Sequence, residues 1–128
     1  DIYLSNYKRI FEKNRLQNIF LITPQTSNKR IEYIDKNSDG FLYVVSSSSI
    51  TGSTNKFDER SINYFKKLEK MNLSTPKIIG FGISNNENFS VASKYSKGCI
   101  VGSAFIKYIQ KNGLKNIHNF INQIKKGN

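Results

Sequence analysis

Cysteine and histidine are nearly absent from this sequence, which holds one of each in 128 residues. Cys99 has no second cysteine with which to form an internal disulfide, and it opens a short apolar run, so we interpret it as a small buried hydrophobic residue. His118 has no cysteine or second histidine at ligand spacing and lies on a predicted surface helix. The sequence therefore excludes an internal disulfide framework and predicts no metal site.

Long apolar stretches are missing too. No run approaches the roughly 20 residues that a membrane-spanning helix needs. The first residues also lack the charged-then-apolar pattern of a signal peptide. We therefore expect a soluble, cytoplasmic protein with no membrane partner.

Acidic residues are few, since 9 Asp and Glu stand against 20 Lys and Arg, giving a formal net charge of +11. Clustered basic residues would favour nucleic acid as a partner, because they neutralise phosphates. Here they are spread over every segment, and the pairs Lys66-Lys67 and Lys125-Lys126 are more typical of solvated helix faces. We expect no nucleic-acid partner, and keep a basic nucleic-acid-binding module as a minor alternative.

Four short apolar segments alternate with helical patterns along the chain. The predicted strands are residues 18–23, 40–46, 77–80 and 99–101. Uniformly apolar strands that alternate with helices indicate an α/β fold, with parallel strands, right-handed crossovers and both faces of the sheet covered. Periodicity leaves two architectures open, a doubly wound sheet and a sector of a (β/α)8 TIM barrel.

The apolar period also predicts the helices that flank these strands. The first helix places Leu4, Tyr7, Ile10 and Phe11 on one face, and the last places Leu114, Ile117, Phe120, Ile121 and Ile124 on one side. Two other helices are predicted to begin at the caps Ser27 or Asn28 and Asn85 or Asn86. The polar loop from Ser47 to about Lys56 exceeds the usual two to six residues, which is typical of functional or disordered loops.

Three glycine-bearing turns follow predicted strands at their carboxyl ends. They are Thr51-Gly52 in the long loop, the GFGIS segment at 80–84, and Gly102-Ser103. Glycine lets the backbone approach an oxyanion closely, and amides at a helix N-terminus donate to it with help from the helix dipole. Ser103 adds a hydroxyl donor. The pattern predicts a phosphate cradle at the sheet edge where α/β proteins bind ligands, without the fixed positive side chain of a Walker-type loop.

In order and spacing, these segments resemble the tryptophan synthase alpha subunit. The matching motifs are FLITPQTS at 20–27, GFLYVVS at 40–46 with Thr51-Gly52 downstream, GFGIS at 80–84 and VGSA at 101–104. The resemblance covers about residues 19–109. It implies that residues 1–128 form a single partial domain, the carboxyl-terminal, phosphate-binding half of a TIM barrel, with strands six to eight and the strand before them.

The resemblance implies a lyase of tryptophan biosynthesis. The full-length protein would cleave indole-3-glycerol phosphate to indole and glyceraldehyde 3-phosphate in a retro-aldol step. In this family the alpha subunit needs no cofactor, and it passes indole to a beta subunit that carries pyridoxal phosphate, within an alpha2beta2 assembly.

Matching the motifs position by position implies roles for seven residues. Those that resemble the family's phosphate ligands are Gly52, Gly82, Gly102 and Ser103. Tyr43 and Phe81 resemble walls of the substrate pocket. Thr51 resembles a residue of a mobile loop that closes over the substrate.

The family's catalytic carboxylates have no match in this sequence. Members carry a glutamate and an aspartate in the first half of the barrel, in a segment of the form Pro-Phe-Ser-Asp-Pro, which is missing here. Asp35, Asp39, Asp58 and Glu59 are better interpreted as surface or capping residues. We therefore expect the catalytic half to be truncated from this chain, and the segment alone to have no catalytic residue and no activity.

Four strands cannot close a barrel that needs eight, so two strand edges and an apolar face would stay open. We expect the isolated chain to dimerise, aggregate or require its other half. The alternative enzyme is another phosphate-binding barrel, such as a phosphosugar isomerase or epimerase, because glycine turns are shared across many such barrels. The spacing from Tyr43 to Gly52 argues against it.

Overall fold

The computed structural model describes residues 2–46 and 56–127. Its four strands are β1 (Phe20–Ile22), β2 (Leu42–Val45), β3 (Lys77–Gly80) and β4 (Gly98–Cys99). Its α-helices are α1 (Lys8–Lys13), α2 (Asn28–Lys36), α3 (Glu59–Lys70), α4 (Asn86–Tyr95), α5 (Ser103–Asn112) and α6 (Ile117–Lys126). A π-helical turn, Tyr3–Tyr7, precedes α1, and a 3-10 turn, Leu114–Asn116, precedes α6.

The strands form one parallel sheet in the order β1-β2-β3-β4. Each strand pairs with the next one along the chain, so every crossover moves in the same direction and the helices fall on one face of the sheet. A doubly wound sheet instead reverses its strand order at a switch point. The order therefore selects the barrel sector from the two architectures that periodicity left open.

One face of the sheet is packed against the helices. Its central residues, Ile22, Leu42, Val44 and Ile79, are all buried. They form one hydrophobic cluster with helix side chains such as Ile31 of α2, Phe65 and Leu68 of α3, and Ala92 of α4. This cluster is the core of the described part of the protein.

The opposite face carries apolar residues without a helix layer over them in the described ranges. Leu21, Tyr43 and Ile78 lie side by side across β1, β2 and β3. Leu21 is 56% exposed, and the other two are half-buried. The expectation that both faces would be covered is therefore wrong for these residues, because alternate side chains of a barrel strand face the barrel interior, which a sector leaves open.

The helix starts follow the predicted caps. Ser27 accepts a hydrogen bond from the backbone N–H of Arg30 at 3.4 Å, and Asn85 accepts one from Asn88 at 2.8 Å. Asp58 caps α3 by accepting from the N–H of Ser61 at 2.8 Å, as the interpretation of the carboxylates predicted. Each side chain satisfies an amide that the first helical turn leaves without a partner.

Asp35 does more than the surface role that the sequence predicted. Its carboxylate accepts hydrogen bonds from the backbone N–H groups of Ser74 at 2.9 Å and Thr75 at 2.8 Å, and from the Ser74 hydroxyl at 2.9 Å. Burial raises the pKa of this carboxyl, but the hydrogen bonds from Ser74 and Thr75 outweigh it and lower the pKa overall. Asp35 thereby ties the end of α2 to the loop that enters β3.

The terminal helices depart from the predicted stripes. In the first, the N–H of Lys8 donates to the carbonyl of Tyr3, a π-helical bond. It interrupts the 3.6-residue period on which the predicted stripe depends, and Tyr7 and Ile10 are exposed. In the last, Phe120 and Ile124 are buried while Leu114 and Ile121 are exposed. Leu114 lies in the 3-10 turn, whose three-residue period is out of phase with α6.

The structure confirms the surface position predicted for His118, and it shows Cys99 to be less buried than predicted. Cys99 packs against the core on the helix-covered face, half-buried, and burial raises the pKa of its thiol. His118 is exposed on α6. Among residues 2–46 and 56–127, no three His, Cys, Asp or Glu side chains gather closely enough to hold a metal ion. The same ranges contain no helix with the length and apolar character to cross a membrane.

Candidate functional site

A cavity of about 560 Å³ opens at the carboxyl ends of the strands. It is lined by Tyr43, Phe81, Gly82, Ile83, Ser84, Ile100, Gly102, Ser103, Ala104 and Lys107. The structure thus brings together five of the residues that the sequence singled out: Tyr43, Phe81, Gly82, Gly102 and Ser103. The other two, Thr51 and Gly52, lie outside the described residues.

A second cavity, of about 610 Å³, lies between the start of α4 and the end of α6. It is slightly larger, but it sits among outer helices and contains neither Tyr43, Phe81 nor the Gly102 turn. Because α/β folds bind ligands at the carboxyl ends of their strands, we assign the candidate site to the cavity at the sheet edge.

Two aromatic rings form the apolar wall of this cavity. Tyr43 and Phe81 meet edge to face, with centroids 6.0 Å apart and an interplanar angle of 73°. Burial raises the pKa of the Tyr43 phenol further above neutral. A phenol is protonated at neutral pH in any case, so its hydroxyl can donate a hydrogen bond. The pair offers an angled apolar surface with one polar tip, against which an aromatic ligand can pack.

Gly80 makes room for that wall. A Cβ added at Gly80 would lie 2.7 Å from Cε1 of Tyr43 and closer still to its Cζ and hydroxyl oxygen, so a larger residue here would have to displace the ring. The sequence flagged this glycine only as part of a turn that could hold phosphate. Its role in seating Tyr43 depends on the register of β2 with β3, which sequence reasoning does not provide.

The turn after β3 has an unusual backbone. Phe81 has φ of 66° and Gly82 has φ of 70°, so two successive residues lie in the left-handed region. Glycine adopts this conformation freely, whereas a bulky residue such as phenylalanine rarely does. Phe81 is also 55% exposed, so its own packing does not explain the conformation.

Ser46 lies beneath this turn and was not predicted as a site residue. It follows β2, is fully buried, and its hydroxyl is 2.7 Å from the carbonyl oxygen of Phe81 and 3.1 Å from that of Gly80. Its backbone N–H also donates to Gly80, at 3.2 Å. A polar residue directly after an apolar strand was the available signal, but such residues are common at strand ends.

The start of α5 forms another wall. Gly102 is its N-cap, and no side chain of the described residues caps this helix, in contrast to α2, α3 and α4. The amides of the first turn of any helix have no intrahelical acceptor, and here no described side chain takes its place, which leaves them available to an anion. A Cβ at Gly102 would meet nothing within 4 Å, so the missing side chain leaves open space rather than avoiding a clash.

Lys107 adds a positive charge that sequence reasoning missed. It lies one helical turn after Ser103 and lines the same cavity, although it is exposed to solvent. No carboxylate of the described residues is within ion-pairing distance of its ammonium group. The four-residue spacing from Ser103, which places both on one helix face, was the signal that could have found it.

The described walls of the cavity contain no aspartate, glutamate or histidine. Their ionisable groups are the Tyr43 phenol and the Lys107 amine. This set of donors and one cation can hold an anionic group next to an aromatic one. It does not include the paired acid and base of a proton-transfer reaction.

Comparison with known proteins gives a consistent family. The family model described as "Tryptophan synthase alpha chain" matches residues 4–127. The tryptophan synthase alpha chain of Flavobacterium psychrophilum is 56% identical over 97% of this chain and 49% of its own length. That of Christiangramia forsetii is 51% identical over 98% of this chain and 49% of its own length. The chain therefore spans about half the length of these curated relatives.

Solved structures agree on the fold. A tryptophan synthase alpha-subunit mutant from Pyrococcus furiosus superposes with a TM-score of 0.78 at 23% identity, over 96% of this chain and 50% of that one. Tryptophan synthase from M. tuberculosis in an aminoacrylate-bound form gives 0.72 at 20% identity, over 96% and 44%. At these identities the structures show the shared barrel fold alone. Together, the family match, the close relatives and the sequential parallel sheet identify this chain as a member of the tryptophan synthase alpha chain family, about half of whose length it spans.

Proposed function

We propose that this chain serves in a lyase of tryptophan biosynthesis that cleaves indole-3-glycerol phosphate to indole and glyceraldehyde 3-phosphate. Within that lyase, its task is to bind the substrate phosphate and to form one side of the substrate pocket. The proposal rests on family membership and on one observation, that Tyr43, Phe81, Gly82, Gly102 and Ser103 line a single cavity at the sheet edge.

The phosphate would bind between the turn after β3 and the start of α5. The amides of Gly82, Gly102 and Ser103 and the Ser103 hydroxyl are donors, and the α5 dipole favours a negative charge at this end. Lys107 would supply the positive side chain. The same proposal assigns Gly52 as a further phosphate ligand and Thr51 to a loop that closes over the substrate.

The aromatic wall would hold the rest of the substrate. Tyr43 and Phe81 offer an edge-to-face pair against which an indole ring can pack. Phosphate binding far from the bond that breaks supplies positioning energy for the reaction. Retro-aldol cleavage also needs an acid and a base, and we propose that both are carboxylates from outside this chain.

The proposed partners follow from membership of the same family. We propose that the complete alpha subunit works without a cofactor and in the cytoplasm. Its partner would be a tryptophan synthase beta subunit that carries pyridoxal phosphate and receives the indole, in an alpha2beta2 assembly.

The test uses a hybrid protein, in which this chain is joined to the half of the Flavobacterium psychrophilum relative that it does not match. We expect the hybrid to release indole from indole-3-glycerol phosphate, and to leave ribulose 5-phosphate unchanged. Turnover of ribulose 5-phosphate instead would favour a phosphosugar isomerase or epimerase.

Binding is measured separately by calorimetry with glycerol 3-phosphate. We expect Gly102→Asp to abolish it, because a carboxylate at that open position would occupy the cavity and repel the anion. Ser96→Ala, at the amino end of β4 and outside the cavity, is the matched control and should bind normally. Failure of the wild-type hybrid to bind would reject the proposal.

A further inference from the structure

Ser46 joins the end of β2 to the turn after β3 by hydrogen bonds from both its backbone and its side chain. Its N–H donates to the Gly80 carbonyl, and its hydroxyl lies 2.7 Å from the Phe81 carbonyl oxygen. The hydroxyl is also 3.1 Å from the Gly80 carbonyl oxygen, but one proton serves one acceptor well. The shorter distance makes the Phe81 carbonyl its main acceptor.

That carbonyl belongs to the peptide unit between Phe81 and Gly82. A trans peptide is planar, and its N–H points opposite to its C=O. The structure contains no cis peptide within the described residues. Because the Phe81 carbonyl points to the buried Ser46 hydroxyl, the Gly82 N–H points away from Ser46. Gly82 itself lines the cavity.

The conformation of this peptide unit needs an external restraint. A non-glycine residue in the left-handed region is strained and persists only where its surroundings hold it. Phe81, at φ of 66°, is more than half exposed and gains little from its own burial. The fully buried Ser46 hydroxyl is a restraint of the required kind.

We propose that Ser46 is a positioning residue for phosphate binding: by holding the Phe81 carbonyl, it presents the Gly82 amide to the substrate phosphate. This inference rests on the proposed function of the cavity. A merely structural Ser46 would satisfy buried carbonyls and stabilise the fold without any preference for phosphate.

The experiment separates these roles with a pair of ligands in the hybrid protein. The ligands are 3-(indol-3-yl)propyl phosphate and the corresponding alcohol, which differ only in the phosphate. We expect Ser46→Ala to raise the Kd of the phosphate ester about tenfold, as expected for one lost charge-assisted contact. The Kd of the alcohol should change less than about twofold, because the Tyr43–Phe81 wall is retained.

Two further variants serve as controls. Ser96→Ala removes a hydroxyl that donates to the Gly98 carbonyl at 2.8 Å, at the opposite end of the strands, and should leave the Kd ratio of the two ligands unchanged. Ser46→Thr keeps the hydroxyl and should retain the wild-type ratio. Equal weakening of both ligands by Ser46→Ala, or no weakening, would overturn the positioning role.

An NMR measurement on the wild-type hybrid covers the case in which the Ser46→Ala variant does not fold. Addition of glycerol 3-phosphate should shift the amide resonance of Gly82 strongly, and that of Gly98 little. An unmoved Gly82 resonance would also overturn the role of Ser46. If the wild-type hybrid binds the phosphate ester and the alcohol equally well, the proposed function itself fails. If the wild-type hybrid prefers the ester and the Ser46→Ala variant keeps that preference, only the inference about Ser46 is rejected.

Discussion

Leu42 and Leu21 lie on neighbouring strands of one sheet, and their surroundings are opposite. Leu42 is 0% exposed beneath the helices, while Leu21 is 56% exposed on the other face. The helix-covered face has the hydrophobic core of the described residues, which includes side chains of α2, α3 and α4. The open face and the carboxyl edge next to it carry the cavity walls instead.

The contrast teaches that stability and the candidate site are divided between two sides of this sheet. Substitutions beneath the helices should destabilise the protein most, whereas most of those on the open face or at the carboxyl edge should spare the fold and change binding. In TIM barrels generally, loops at the carboxyl ends of the strands supply the chemistry, as the position of this cavity suggests.

The largest expected effect comes from Leu42→Ala. Truncation at a fully buried site should lower the free energy of unfolding by about 2–5 kcal/mol, because it loses apolar contact and leaves a cavity. Leu21→Ala is the matched control, and in the 128-residue chain it should cost less than about 0.5 kcal/mol. Urea denaturation followed by circular dichroism measures both. A loss for Leu21→Ala that matches Leu42→Ala and depends on protein concentration would mean that a second copy covers the open face.

Gly80→Ala tests an exception on the open face. Its Cβ would overlap the Tyr43 ring, so we expect a loss of about 1–3 kcal/mol together with a displaced aromatic wall. Gly102→Ala is the control, since its Cβ meets nothing within 4 Å and the residue has a negative φ. Gly102→Ala should leave the midpoint of urea unfolding unchanged and should weaken the binding of glycerol 3-phosphate. Equal stability of the two variants would contradict the close approach of Tyr43 to Gly80.

The sequence predicts those parts of the fold that depend on residues close together in the chain, and it does not predict which face of the sheet the helices cover. The alternation of strands and helices, the caps Ser27 and Asn85, and the bounds of β3 follow from local patterns, and the structure confirms them. The apolar residues of β1 and β2 predicted buried strands, but period alone does not tell a helix-covered face from a barrel interior. The sequence therefore predicts Leu21 to be a core residue, although the structure shows it exposed.

The site shows the same limit. Tyr43, Phe81, Gly82, Gly102 and Ser103 were found because motifs mark them, and the structure places all of them on one cavity. Ser46 was missed because its partners are 34 and 35 residues away, on a neighbouring strand, and only the strand register brings them together. Lys107 was missed because, in sequence, a lysine that lines a cavity cannot be told from the other lysines on the solvated face of an amphipathic helix. The phosphate-binding roles themselves stay a prediction.

Asp35→Ala should give a smaller, acid-dependent loss on the helix-covered side. Hydrogen bonds from Ser74 and Thr75 depress the pKa of this carboxyl in the folded protein, so its contribution is present above about pH 4, the unfolded value, and is lost as pH falls through the folded pKa. We expect a loss of about 1 kcal/mol at pH 7, reduced by partial exposure. Measured by urea denaturation, the gap between wild type and variant should narrow towards pH 3. A gap that stays constant with pH would assign the effect to packing.

Lys107→Gln should have the smallest effect, on binding alone. Its ammonium group lines the cavity but is exposed, so we expect the Kd for glycerol 3-phosphate in the hybrid to rise about three- to tenfold, with no change in stability. Lys111→Gln is the matched control, because Lys111 is also exposed on α5, one turn further on and outside the cavity.

Both variants remove one charge from a chain with a net charge of +11, so they lower its long-range attraction for an anion equally. A local contact therefore predicts that only Lys107→Gln weakens binding, and that the difference persists in salt concentrations that screen distant charges. Equal weakening by the two variants, abolished by salt, would mean that the general positive charge of the chain attracts the phosphate and that Lys107 makes no specific contact.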